Sequence, residues 1–321
     1  MAEAVRKIDI DKIEKYLSNL ELTTSPIDFE KIKQNYIREI GVEKVILKLK
    51  ASKDTGLGHL SRMITLGRIL KEAGTDILFA INDFEYAKER LMDENLVFEV
   101  NRFDSDETFI DYLVEKYDPD VLVVDEKKQY STDDIKRWQK HARFISLDFI
   151  GEGYEVCDRI IMPNAHFEKE KYPTFNNIAW GWDWVLINKE VFKLKPKTEL
   201  PQKINKIVIT TGGSDPSGML FKFLDWLKGC RRDVLILIGD TFKHKEKLRS
   251  LGLPGNFKIL PYRPSRLLEG DIALSTFGVT VYELIYLNMP FMCVGHTKEN
   301  RDGCKILSKR CKLINSLKTD G

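Results

Sequence analysis

The sequence predicts an α/β protein built as two Rossmann-like domains facing each other across a cleft, with a helical extension at the N-terminus. Three observations lead there. Short apolar runs alternate with helix-length amphipathic segments through both halves of the chain. A charged stretch over 188–204, with two prolines and no core pattern, separates those halves as a linker would. The length, 321 residues, is more than one small core accommodates and suits two domains of roughly 150 residues.

The extension covers residues 1–43. Ile8, Ile10, Ile13, Tyr16 and Leu17 recur at helical spacing and Leu20 and Leu22 follow. Ser25-Pro26 breaks the pattern, and Phe29 to Ile40 predicts a second helix. Two helices without a sheet make no large core. The segment is therefore expected to be a hairpin packed on the main body, or an element that binds a partner or an acceptor.

The first α/β domain spans 44–187. Val45 to Leu49 is a strand, and Leu60 to Ala73 a helix ending near Gly74. Ile77 to Ile81 is the next strand, then a helix from Glu85 to Leu91 and a short strand at Val97 to Val100. A helix from Glu107 to Glu115 is broken by Asp118-Pro119 before the strand Val121 to Val124. Residues 133–140 are helical and Arg143 to Ser146 form a strand. Such apolar strands between helices suit a mostly parallel sheet covered on both faces. The second domain, 205–321, repeats the theme. Its strands are Ile207 to Thr211, Val234 to Ile238, Phe257 to Leu260, Asp271 to Ser275 and Met292 to Val294. Its helices are 217–228, Val279 to Leu287 and a closing one over 301–317.

Composition narrows the function. Lys plus Arg is 51 against 49 for Asp plus Glu, a net charge of +2, so the chain has neither the basic excess of a nucleic-acid binder nor an acidic tail. Hydrophobic residues at 43% and charged residues at 31% fit a folded protein, not a disordered one. The first residues, MAEAVRKIDIDKIEKYL, contain no apolar core of a signal peptide, and no apolar run is long enough to span a bilayer. Peripheral membrane contact stays open. Cys157, Cys230, Cys293, Cys304 and Cys311 are scattered without a CxxC, and the five histidines lack metal-site spacing. A reducing cytoplasm is the expected location.

Three loops carry the chemistry. DTGLGHLSR, residues 54–62, follows the first strand and opens a helix. Gly56 and Gly58 permit a tight turn and close approach of a ligand. The loop has neither the GK[ST] of a Walker loop nor the spacing of a dinucleotide fingerprint. His59 at the helix opening suits a base or acid near neutral pH, or a packing role. Arg62, on the same helix, can pair with a phosphate or carboxylate. TTGGSDPSG, residues 210–218, presents Gly212 and Gly213 after a strand. Ser214 or Asp215 can cap the following helix, and backbone amides with the Ser214 hydroxyl suit a diphosphate. STFGVTVYE, residues 275–283, brings Phe277, Gly278 and Val279 to a helix start, with Thr280 adding a hydroxyl. Glu283, one turn on, can accept hydrogen bonds from two ribose hydroxyls. His296, in the loop after the last strand, can reach a sugar or diphosphate. Trp180, Trp182 and Trp184 alternate as if on one strand face, either to stack on a ligand or to pack a hinge.

GxGHxxR, GGSD and GxTxxE in this order resemble the GT-B glycosyltransferase superfamily over about residues 44–310. Within it the chain resembles the branch of the UDP-sugar hydrolase of pseudaminic acid biosynthesis and the SpsG spore-coat polysaccharide protein, and more distantly MurG. Gly181 to Ile187 with Phe192 resembles that branch's interdomain segment. The resemblance implies a catalytic His59 and an acceptor side with Gly56, Gly58, Arg62 and the strand-end Asp125. It implies a nucleotide-sugar side with Gly213, Ser214, Gly278, Thr280 and the ribose-binding Glu283, and Asn300 in the closing motif. It further implies no metal and no cofactor, because helix amides offset the diphosphate charge. Glu299-Asn300-Arg301-Asp302 stands where the hydrolase branch reads N-Q, EKKQYSTDDIKRW only loosely follows its aspartate segment, and the extension has no counterpart in the compact hydrolase. The expected function is therefore transfer from a nucleotide-diphosphate sugar, UDP-linked in the first instance, to an unidentified acceptor. Hydrolysis of a UDP-sugar, 2-epimerisation and non-catalytic sugar-nucleotide binding are the alternatives.

Overall fold

The computed structural model describes residues 8–41, 44–52 and 57–316. Gly56, like the rest of 53–56, lies outside the described residues. In chain order the elements begin with α1 (Ile10–Leu17), α2 (Phe29–Ile40), β1 (Lys44–Leu49), α3 (Gly58–Glu72), β2 (Asp76–Ile81), α4 (Glu85–Asp93) and β3 (Phe98–Val100). They continue with α5 (Asp106–Tyr117), β4 (Val121–Asp125), α6 (Thr132–Trp138), β5 (Arg143–Leu147), β6 (Arg159–Met162) and β7 (Ile178–Trp180). The rest is α7 (Lys189–Phe192), β8 (Lys206–Thr210), α8 (Met219–Trp226), β9 (Asp233–Ile238), α9 (Lys245–Ser250) and β10 (Phe257–Pro261). Last come β11 (Ile272–Thr276), α10 (Val279–Tyr286), β12 (Phe291–Val294), α11 (Lys298–Arg310) and β13 (Ile314–Ser316).

The chain divides into two compact units, one from Asp28 to Leu186, the other joining the residues up to Ile27 to those from Ile187 onward. The extension is thus not one hairpin, because its helices belong to different units. Each starts on an aspartate that accepts a backbone amide, Asp9 from Lys12 at 3.0 Å and Asp28 from Lys31 at 3.2 Å. Ile13 and Leu17 of α1 enter the apolar cluster of Ile204, Phe223 and Leu227, while Tyr16 donates to the Lys312 carbonyl at 2.7 Å. On α2, Ile32, Tyr36 and Ile40 are fully buried. The Tyr36 hydroxyl donates to the Trp184 carbonyl at 2.8 Å, and the two rings meet edge to face. Apolar faces of this strength are used by whichever core lies nearest, and here they are used separately.

The first unit holds a seven-stranded parallel sheet in the order β3-β2-β1-β4-β5-β6-β7. The central strands β1 and β4 are buried almost throughout, which is why they read as unbroken apolar runs. Strands β6 and β7 escape a pattern reading because each is only three or four residues long. The tryptophans do not share a strand face. Trp180 ends β7 and is partly exposed, Gly181 turns the chain at φ 100°, and Trp182 to Trp184 form a 3-10 turn with Trp184 buried. Asp183 pairs with Lys31 at 2.8 Å, a surface contact.

The second unit holds a six-stranded parallel sheet in the order β10-β9-β8-β11-β12-β13. The closing helix expected over 301–317 stops at Arg310. Cys311 is extended, and Ile314–Ser316 pairs alongside β12 as the edge strand. Pairing with β12 fills backbone hydrogen bonds that a longer helix would have left open on that strand. Residue 317 lies outside the described residues. The linker stretch contains α7, capped by Asn188, whose carboxamide oxygen accepts the Glu190 amide at 3.0 Å.

In both sheets the loops of interest follow strands at their carboxyl ends, where such sheets hold ligands. Helix α3 must lie close on its sheet to bring its first turn there. A Cβ at Gly67 would come within 2.6 Å of the fully buried Phe79 ring. Gly67→Ala gains about 1 kcal/mol of helix propensity. The collision costs more, roughly 1–3 kcal/mol, because a packed ring cannot yield. Net destabilisation is expected in urea unfolding followed by tryptophan fluorescence.

Candidate functional site

In the first unit the polar centre is assembled from α3 and the ends of three strands. His59 and Arg62 lie on the first turn of α3, Asp125 is the last residue of β4, Asp148 follows β5 and Asn164 follows β6. His59 Nδ1 lies 2.7 Å from Asp125 Oδ1. Arg62 Nε donates to Asp125 Oδ2 at 2.6 Å, its Nη2 donates to Asp125 Oδ1, and its Nη1 donates to Asp148 Oδ2 at 2.8 Å. Arg62 Nη2 also stands 2.7 Å from His59 Nδ1, so both groups converge on one carboxylate. Asn164 Nδ2 reaches Asp148 Oδ1 at 3.5 Å.

The electrostatics follow from burial and pairing. Asp125 is wholly enclosed and Arg62 nearly so. Burial opposes the charge on Asp125. The Arg62 guanidinium and His59 outweigh that and hold the carboxyl below its ordinary range. Burial likewise opposes the charge on Arg62, and Asp125 and Asp148 overcome it, raising an already high value further. Arg62 is therefore a permanent cation engaged by two carboxylates of its own chain. Of the two partners expected for it, phosphate or carboxylate, the structure shows carboxylates: it clamps Asp125 and Asp148.

Chemically, two tautomers are open to His59, because Asp125 Oδ1 accepts from a protonated Nδ1 whereas Arg62 Nη2 donates to an unprotonated one. A proton on His59 Nδ1, given to Asp125, leaves Nε2 as an acceptor able to take a proton from a hydroxyl or water. His59 is partly exposed, with 14% of its side chain accessible, enough to meet a small reactant. Gly58 is the first residue of α3, and Leu57 before it provides no side-chain cap. The sequence reading missed Asp148, which directly follows β5, whereas Asp125 is the last residue of β4. Asn164 carries no sequence signal of its own.

A second charged group lies on the opposite face of β4. Lys48 of β1, only 2% exposed, contacts Glu126 at 2.6 Å and Asp106 at 3.2 Å. Glu126 also accepts the Tyr130 hydroxyl. Burial pushes Glu126 above the ordinary carboxylate range despite Lys48, while Asp106, less enclosed, is held below it by Lys48 and Lys128 against its own burial.

In the second unit one glycine loop follows β8 and the other follows β11. Gly212 needs its glycine, at φ 77°, and Gly213 packs against Gly239, where a Cβ would strike its carbonyl. Thr241 donates to that carbonyl at 3.0 Å. Asp215, itself left-handed at φ 45°, caps α8 by accepting the Met219 and Leu220 amides, both at 2.9 Å. Ser214 is buried, and His244 Nε2 meets the Asp215 carbonyl at 3.0 Å. In the other loop Phe277 and Gly278 lead into Val279, the first residue of α10. A Cβ on Gly278 would meet nothing within 4 Å. Glu283 is 4% exposed and its carboxyl accepts the Tyr262 hydroxyl, with Thr280 also hydrogen-bonded to it; burial raises it above the ordinary range. The glutamate expected to bind a ribose therefore already has internal partners. His296 is exposed and pairs with Asn300 at 3.3 Å, while Thr297 caps α11 through the Asn300 amide at 3.1 Å.

Among the described residues, no group of three or more His, Cys, Asp or Glu is placed to hold a metal ion. No helix among them is long and apolar enough to cross a membrane.

No family model matches the chain. An uncharacterized protein of Methanocaldococcus jannaschii is 23% identical over 296 residues, covering 81% of this chain and 57% of its own length. The chain thus spans little more than half of that relative. Among solved structures, the spinosyn rhamnosyltransferase SpnG, complexed with spinosyn aglycone, aligns with a TM-score of 0.59 at 13% identity, covering 85% of this chain and 86% of that one. MurG of Acinetobacter baumannii aligns at 0.55 and 12% identity, with 85% and 86% covered. UGT2 of Phytolacca americana, complexed with UDP-2-fluoroglucose and pterostilbene, aligns at 0.57 and 10% identity, with 86% of each covered. At these identities the likeness is one of fold, and the fold is GT-B.

The buried Asp125 sets a pH signature. Its folded value lies below the unfolded one of about 3.9, so its stabilising contribution is complete above that pH and is lost as pH falls through the folded value. Asp125→Asn should cost about 3 kcal/mol at pH 7, since it strips a buried cation of its main partner. Denaturation midpoints of wild type and variant should converge as the pH is lowered below about 4.

Proposed function

We propose that this chain is, or is part of, a glycosyltransferase that uses a nucleotide-diphosphate sugar, UDP-linked in the first instance, without a metal. The observation that carries the reading is His59 Nδ1 set 2.7 Å from the buried Asp125 carboxylate; with the proton on Nδ1, Nε2 is the basic nitrogen. In transfer, His59 takes the proton of an acceptor hydroxyl as its oxygen attacks the anomeric carbon, and the bond from that carbon to the diphosphate breaks. The loops of the second unit hold the nucleotide. Asp215 already occupies the first amides of α8, so the diphosphate contact rests chiefly on Phe277, Gly278, Val279 and Thr280, where Gly278 leaves open space. His296 and Asn300 stand at the start of α11 to add polar contacts. The ordered motifs favour the branch of the pseudaminic-pathway hydrolase and SpsG, with hydrolysis as the second reading, in which His59 activates water. The acceptor is unidentified; that branch suggests polysaccharide biosynthesis, and the scattered cysteines favour a cytoplasmic setting.

UDP release from a panel of UDP-sugars, with and without a cell extract as acceptor source, tests this. Release that requires extract supports transfer, and release without extract shows hydrolysis. His59→Ala should lower turnover at least about 100-fold while leaving UDP affinity intact. If His59→Ala turns over normally, the assignment of the base fails.

Gly278→Val probes the other loop. The backbone there is extended, so the substitution is sterically tolerated and stability should change little. UDP affinity measured by calorimetry should fall about tenfold or more, the equivalent of losing one good contact.

A further inference from the structure

Beneath the loop that carries His296, two cysteines meet. Cys293 lies on β12 and Cys304 on α11, and their sulfurs are 3.0 Å apart. Both are buried, at 1% and 3% exposure. The other cysteines, Cys157, Cys230 and Cys311, are free thiols elsewhere. The contact belongs to a tight seam between strand and helix. A Cβ on Gly295 would strike the Arg301 amide, and one on Gly303 would strike the Phe277 ring. Glycine at those positions lets α11 lie directly on β12 and on the 277–278 loop, and this close approach brings the sulfurs together.

We propose that Cys293 and Cys304 form a thiol–disulfide site whose oxidation fastens the first half of α11 to β12. A disulfide needs a sulfur separation of about 2.05 Å, so closure asks for about 1 Å of movement. The oxidant is a small-molecule disulfide such as oxidised glutathione. Cys304, as thiolate, attacks one sulfur of that disulfide and releases one glutathione thiolate. Cys293, as thiolate, then attacks Cys304 of the mixed disulfide, forms the protein S–S bond and releases the second glutathione. The two protons lost by the cysteines go to the two glutathione thiols, and the two electrons reduce the oxidant. Cys304 reacts first because α11 can lift locally, whereas β12 is held between β11 and β13. Burial holds the Cys293 thiol above its ordinary range, so the reaction waits on such opening and is slow in the closed protein.

Gly303, next to Cys304, faces the Phe277 ring, but the proposal does not depend on what Phe277, His296 or Asn300 bind. Its test uses the full chain, freshly reduced and then incubated with oxidised glutathione. The expected product is lighter by two hydrogens, carries a 293–304 link in a non-reduced peptide map, and shows at least about tenfold slower amide exchange over 296–303. Dithiothreitol should reverse all three changes. Cys304→Ser should show none of them, and Cys311→Ser should behave as wild type. No linkage, linkage between other cysteines, stable glutathione adducts alone, or a 293–304 bond without slower exchange would each overturn the proposal.

Discussion

Burial of one guanidinium organises the first unit. Arg62 is 7% exposed, and a lone cation at such a depth would cost several kcal/mol. It is tolerable because Asp125 and Asp148 both reach it, one from the end of β4 and one from just beyond β5. Three elements that are far apart in sequence are thereby brought to one point. Asp148 occupies a left-handed backbone conformation, φ 61°, to make its contact. A strain of order 1 kcal/mol for a non-glycine residue there is offset by the charge it neutralises. His59 gains its orientation from the same carboxylate, so the base proposed for the reaction is positioned by an interaction whose first purpose is to bury Arg62.

Asp125 and Glu126 show how far neighbouring carboxylates can diverge. Lys48 pairs in register with Val124, on the face of β4 opposite to Asp125, and Glu126, just past the strand, meets Lys48 there. Asp125 meets a bidentate guanidinium and is held ionised. Glu126 meets Lys48, a point charge shared with Asp106, and burial prevails, moving it upward. The difference follows from geometry: a planar fork satisfies both oxygens of one carboxylate, whereas an ammonium divided between two does not. Because both residues are anchored, the carboxyl end of β4 is fixed from both faces.

What could be read from the sequence was local. The central strands were legible because parallel strands buried on both faces are continuous apolar runs, and the three loops because glycine and polar residues follow those runs. His59 and Asp125 were placed at strand ends by the same logic and a family resemblance, and the structure brings them to 2.7 Å. Asp148, Asn164 and Lys48 were not legible as site residues, since only the sheet order makes them neighbours. The tryptophan stripe misled because period-two spacing is also produced by a strand end followed by a 3-10 turn. The last helix was overextended because nothing in its own residues announces that β12 has an open edge to pair.

The two glycine loops of the second unit look alike in sequence and differ in what they leave available. In 211–218 the aspartate that follows the glycines turns back and takes the leading amides of α8 for itself. A carboxylate there does electrostatically what an incoming phosphate would do, so the loop is self-satisfied and rigid. In 277–280 Gly278 stands just before the first helical residue, Val279, with no side-chain cap and no neighbour within 4 Å of where a Cβ would stand. An anion arriving at that second loop meets open space beside Gly278. The proposed division of labour follows from this asymmetry: the first loop shapes the site, and the second meets the diphosphate.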